Sequence, residues 1–176
     1  MKTLISQFLT FLISLTFVAS IAQAEEDVLL KVITKDGKIE RFTRERLEEF
    51  EQIEFTTGSL WTEETNKYSG PPLQAVLDAA GIKEDRLEFV GLNGYSLIMD
   101  LSTDPIGDND PIIATKMNEK NFEIWEKGPL WNIYNFDDFE GDGIERANAL
   151  SVWQLSEIRE VMSDQDSAAK SDSGNF

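Results

Sequence analysis

The chain of 176 residues sets 16 Lys+Arg against 33 Asp+Glu, a formal charge of −17, and contains no Cys and no His. Those two zeros exclude disulfides, zinc held by Cys or His, haem ligated by either, iron–sulfur clusters, and any triad with imidazole as base within this chain. The acidity argues against electrostatic binding to nucleic acid or to an anionic membrane, both of which need clustered Lys and Arg.

The first 24 residues read as a cleaved signal peptide. Lys2 supplies a positive start, Leu4 to Ile21 an apolar stretch, and Ala22-Gln23-Ala24 a small-residue cleavage site ahead of Glu25, Glu26 and Asp27. A single-pass anchor is the alternative reading; with no Cys after the apolar run, a lipoprotein anchor is excluded. Residues 25–162 then form one folded domain, and 163–176, rich in Ser and Asp, form a disordered tail with too little apolar surface to offset its ordering entropy.

Within the domain, Val28 to Ile33 and Ile39 to Phe42 flank Asp36-Gly37, a hairpin signal in which a type I′ turn needs positive φ. Thr43 is placed to cap a short helix with Leu47 and Phe50 on its inner face. Ile53 to Thr57 reads as a strand, and Gly58 to Tyr68 as a loop carrying Trp61. Leu73, Val76, Leu77 and Ala80 recur at helical spacing, with Gly81 as the stop. Leu87 to Leu92, Ser96 to Leu101, Ile112 to Lys116, Pro129 to Tyr134 and Ser151 to Ile158 are strand candidates, the first two joined at Asn93-Gly94. Lone helices between clusters of strands predict an α+β domain with mixed sheets and a few short helices.

The chemistry is sparse. Asp138 to Gly143 superficially resembles a calcium loop, but the bidentate Glu that such a loop needs would fall on Ala149, so an acidic solvated loop is expected. Asp104 to Asp110 reads as turn chemistry. No nucleophile with its base, P-loop or Gly-x-Gly-x-x-Gly is present, so no enzyme is supported on these grounds. The aromatics carry more information. Trp125, Trp131, Tyr134 and Phe136 lie close together, Trp153 follows, and Trp61 beside Thr62-Glu63-Glu64 is the least core-like ring. Core packing is the ordinary role for each, yet as a group, near Lys127 and Asn93, they suit a flat, hydrogen-bonding heterocycle.

The ordered blocks Phe55-Thr-Thr-Gly-Ser-Leu-Trp61, Tyr68-Ser-Gly-Pro-Pro-Leu73, Leu92-Asn-Gly-Tyr95, Ile113-Ala-Thr-Lys-Met-Asn118, Lys127-Gly-Pro-Leu-Trp131 and Ser151-Val-Trp-Gln-Leu-Ser-Glu-Ile158 resemble the sulfite-oxidase-type molybdopterin-binding domain. The resemblance implies that superfamily's mixed α+β fold. It also implies a metal-ligating Cys near Thr56, which this chain lacks, and soft thiolate ligation has no hydroxyl substitute. Basic residues that would grip the cofactor phosphate are replaced by Trp131 and, on the last strand, by Leu150 and Trp153. The chain is therefore more similar to the small periplasmic PruR-type pterin-binding proteins, some of which carry Arg where Leu150 stands.

That resemblance implies a non-enzymatic periplasmic sensor without molybdenum. Its ligand is a reduced neopterin- or monapterin-like pterin. Its partner is the periplasmic domain of a membrane-bound enzyme that makes and degrades cyclic di-GMP, so that pterin status tunes biofilm attachment. No nucleic acid and, after cleavage, no membrane insertion is expected. The alternative is a molybdopterin oxidoreductase or subunit with a Cys-free site. By matched position, Trp153 is expected to supply a stacking face and Trp131 to close the pocket. Ser151, Thr57 and Asn93 are expected to hydrogen-bond the ligand, Tyr95 and Met117 to wall the cleft, and Lys127 to stand at its edge.

Overall fold

The computed structural model describes residues 28–104 and 111–161; the expected signal peptide, the tail and most of the Asp104–Asp110 turn lie outside the described residues. Period-two alternation shapes the opening strands. In β1 (Val28–Ile33) Leu30 and Val32 face inward and Lys31 outward, and β2 (Ile39–Thr43) returns antiparallel with Phe42 inside. Their connection differs from the expected type I′ turn. Only Gly37 has positive φ, its N–H donating to the Thr34 carbonyl while the Thr34 N–H donates to that of Lys38. That is a type I turn closed by a left-handed glycine.

The Thr43 hydroxyl caps α1 (Arg44–Glu48) by accepting from the Arg46 N–H at 3.3 Å, with Leu47 buried and Phe50 half-buried. β3 (Ile53–Thr57) pairs with β4 (Asn66–Gly70), so the expected loop ends earlier than Tyr68. α2 (Leu73–Ala80) buries Leu73, Val76, Leu77 and Ala80, and Gly81, at φ 82°, ends it by donating to the Leu77 and Asp78 carbonyls.

β5 (Arg86–Gly91) and β6 (Ser96–Asp100) form the second hairpin, whose turn repeats the first, with Gly94 alone at positive φ. The expected strand at Ile112 to Lys116 divides into β7 (Ile112–Ala114) and β8 (Lys116–Met117), which join different sheets. β9 (Lys120–Asn121) follows through Asn118 and Glu119, both at positive φ, as a type I′ turn requires.

β10 (Trp131–Ile133) is shorter than expected. The acidic stretch at Asp138 to Gly143 leads into an unexpected helix, α3 (Asp142–Leu150), with Asp142 and Glu145 in its first turn, where they complement the helix dipole. The last expected strand breaks at Gln154, φ 54°, into β11 (Val152–Trp153) and β12 (Leu155–Glu160).

The result is a mixed α+β architecture. One sheet has the order β2-β1-β12-β5-β6, with β1 and β12 parallel; a second runs β3-β4-β8-β9 and a third β11-β10-β7. Residues 112–117 link the third sheet to the second, and 152–160 link the third to the first. Side chains from all three sheets and from α2, among them Val32, Phe89, Leu77, Tyr68 and Trp131, share one core. Among the described residues no helix is long and apolar enough to cross a membrane.

Candidate functional site

Where β11 leaves α3, three separate segments converge on a cleft of about 240 Å³. The loop before β4 supplies Trp61, the β5–β6 hairpin supplies Asn93 and Tyr95, and the segment from α3 into β11 supplies Asn148, Ser151 and Trp153. Ligand pockets commonly span roughly 300–1,000 Å³, so this one suits a bicyclic ring better than a dinucleotide.

Each wall has a local cause. The Ser59 hydroxyl accepts from the Trp61 N–H at 3.2 Å and lies 2.9 Å from the Thr62 hydroxyl, which ties the loop that presents the indole. The Asn93 side-chain Oδ1 accepts from the Tyr95 N–H at 2.9 Å and fixes the hairpin tip. Gly91 is required by close approach, because a Cβ there would lie 2.9 Å from Asn93 Oδ1 and 3.2 Å from the Trp153 carbonyl. The hairpin can therefore press against β11, and the Leu92 N–H donates to the Gln154 carbonyl at 2.8 Å.

The indoles meet edge to face. Trp61 and Trp153 have centroids 5.3 Å apart at 82°, and Trp61 and Trp131 lie 6.0 Å apart at 66°. Trp61 and Trp153 therefore do not lie parallel, and both half-buried indoles line the cleft. Lys127 brings its ammonium to 5.9 Å from the Trp153 ring and 6.0 Å from Trp131, within cation–π range of both. Lys127 and Gln154 are both non-glycine residues at positive φ, a conformation that costs energy and often accompanies function. They are joined, the Gln154 N–H donating to the Lys127 carbonyl at 2.8 Å, and together they bracket Trp153.

Of the residues expected from the sequence, Asn93, Tyr95, Ser151 and Trp153 line one cleft, and Lys127 stands beside it. Trp131 does not wall it. That ring is 0% exposed, because its position across from Trp153 in the β10–β11 register puts it beneath Trp61, against Tyr68 and Phe122. Met117 lies on β8 opposite Tyr68, packed on the core, and is not among the cleft residues. Thr57 is fully buried at the end of β3, its hydroxyl donating to the Gly58 carbonyl at 3.2 Å. Leu150, expected on the last strand, ends α3 and is buried.

Trp61, Asn148, Ala149 and Val152 are the wall residues that the expected set left out. The polar setting of Trp61 was its signal; Asn148 gave none, because its place depends on a helix the sequence did not announce. Buried Tyr68 lies under this region, and burial pushes its phenol above the usual tyrosine range. No family model matches the chain, and no curated protein matches it either.

Proposed function

We propose that the protein binds a reduced, neopterin- or monapterin-like pterin in the Trp61–Trp153 cleft and acts as a non-catalytic periplasmic sensor, its fold being that of the sulfite-oxidase-like molybdopterin-binding superfamily. The observation that carries this reading is the cleft itself. Two half-buried indoles set at a steep angle, with the buried polar residues Asn148 and Ser151 in the same wall, line a cleft of a size that suits a flat bicycle. Stacking on Trp153 contributes about 0.5–1.5 kcal/mol beyond area burial.

The positions matched to phosphate-gripping cations support a ligand without that phosphate. Trp131 and Leu150 are both buried and apolar, so neither offers charge to an anion, and the chain has no Cys to hold molybdenum. The cleft rim supports a partner. Leu92, Tyr95, Ile124 and Trp125 are exposed, and Gln154 links two of their loops by accepting from the Leu92 N–H and donating to the Ile124 carbonyl. Glu123 and Glu126 stand exposed beside the apolar rim. A receptor domain with an apolar centre and basic edge, the periplasmic part of a membrane-bound cyclic di-GMP enzyme, fits that surface.

Titration with tetrahydroneopterin tests the ligand. Tryptophan fluorescence should quench and Tm should rise, and Trp153→Ala should weaken binding about tenfold or more. Unchanged fluorescence and Tm at millimolar pterin would contradict the reading.

A further inference from the structure

The polar wall of the cleft at the end of α3 carries two acceptors. Asn148 is 8% exposed, and its Nδ2 donates to the Ile144 carbonyl at 2.7 Å. A carbonyl only accepts, so this bond sets which way the amide faces. Its Oδ1 is left buried with no partner. Ser151, also buried, spends its single hydroxyl hydrogen on the Ala147 carbonyl at 3.0 Å, so its Oγ keeps only lone pairs for a guest. At the end of α3, Asn148 Oδ1 and Ser151 Oγ therefore both stand as acceptors, while one of the two Asn148 Nδ2 hydrogens is committed to the Ile144 carbonyl. An orphaned buried acceptor is costly, and a guest that donates to it recovers that cost.

We propose that Asn148 Oδ1 and Ser151 Oγ form an acceptor pair that reads two adjacent N–H donors, and so selects 2-amino over 2-oxo pteridines. The inference rests on the pterin reading and deepens it. A pterin edge presents its 2-amino group beside ring N3–H, two neighbouring donors. The corresponding lumazine places a carbonyl where the amino group was, and sets lone pair against lone pair. Recognition of this kind rejects more strongly than shape does, because the mismatch leaves buried polar groups unpaired.

The test uses 6-methyltetrahydropterin and 6-methyltetrahydrolumazine, titrated by tryptophan fluorescence into the wild type, Asn148→Leu and Ser151→Ala, with thermal unfolding of each protein alone. The wild type should prefer the pterin by about tenfold or more. Asn148→Leu should lose that preference while its ligand-free Tm holds or rises, because an unpaired polar atom has been removed from a buried place. A purely structural Asn148 would lower Tm and leave the preference intact. Ser151→Ala should reduce the same preference, and it carries the test if Asn148→Leu does not fold. Equal binding of both ligands by the wild type, or an undiminished preference in the variants, would overturn the acceptor pair and leave pterin binding standing. No binding of either ligand would overturn both.

Discussion

Trp131 and Trp153 stand opposite each other in one strand pair, yet one is sealed in the core and the other is half open. The sequence places both rings in matched motif positions but cannot separate them, because that depends on which neighbour covers each face. Trp61, brought in by a distant loop, covers Trp131 and leaves Trp153 a cleft side. The same holds for Thr57, whose polar side chain suggests recognition, although its hydroxyl is already committed to a neighbouring carbonyl. Trp125, by contrast, is 81% exposed and is not among the cleft residues.

At the same scale, Glu160 is a latch far from the cleft. Its carboxylate accepts from the backbone N–H groups of Lys83, Glu84 and Lys35 at 2.5, 3.0 and 2.7 Å, tying the end of β12 to two loops. Partial burial alone would raise its carboxyl, but these donors and the charge of Lys35 together hold it below the ordinary value of 4.5. A depressed carboxylate adds stability that is complete above the unfolded value and is lost as pH falls through the folded one. Urea unfolding should show Glu160→Gln destabilised by about 1 kcal/mol at pH 7, a modest figure because the group is partly solvated. The difference from wild type should shrink as pH drops below 4.5.

The elements that could be read in advance are those whose burial writes a period into the sequence. β1, β5 and α2 alternate or recur as their buried faces demand, and Thr43 and Gly81 mark their helix ends as capping chemistry requires. β4 was hidden because only Tyr68 and Gly70 of its five residues are buried. α3 was hidden because Gly141 and Gly143 punctuate its start and Asn148 interrupts its inner face. Half of the cleft depends on that helix, which is why Trp153 could be singled out and Asn148 could not. The β5–β6 hairpin and the Trp61 loop supply the rest. Gly91→Ala should push Cβ against the Trp153 carbonyl, which as backbone has little room to yield. We expect a loss of about 1–3 kcal/mol and weaker pterin binding, read by thermal unfolding and fluorescence titration.

Over the whole molecule, the two sheet-switching segments do different work. Residues 112–117 knit the second and third sheets together, whereas 152–160 carry β11, and with it Trp153, directly into the largest sheet. The cleft therefore sits where a short, bent strand meets a broad sheet and a hairpin tip, with strained backbone at Gln154 and Lys127. The charge of −17 would speed approach to a basic surface and make association salt-sensitive.

The central claim is that a flat reduced pterin binds between Trp153 and Trp61. The chain has 4 Trp, and so four indole N–H resonances that NMR can follow one by one. Titration with tetrahydroneopterin should move the Trp153 and Trp61 signals in a saturable way and leave that of Trp125 in place. Four unmoved resonances at millimolar pterin, or a response confined to Trp125, would contradict the account.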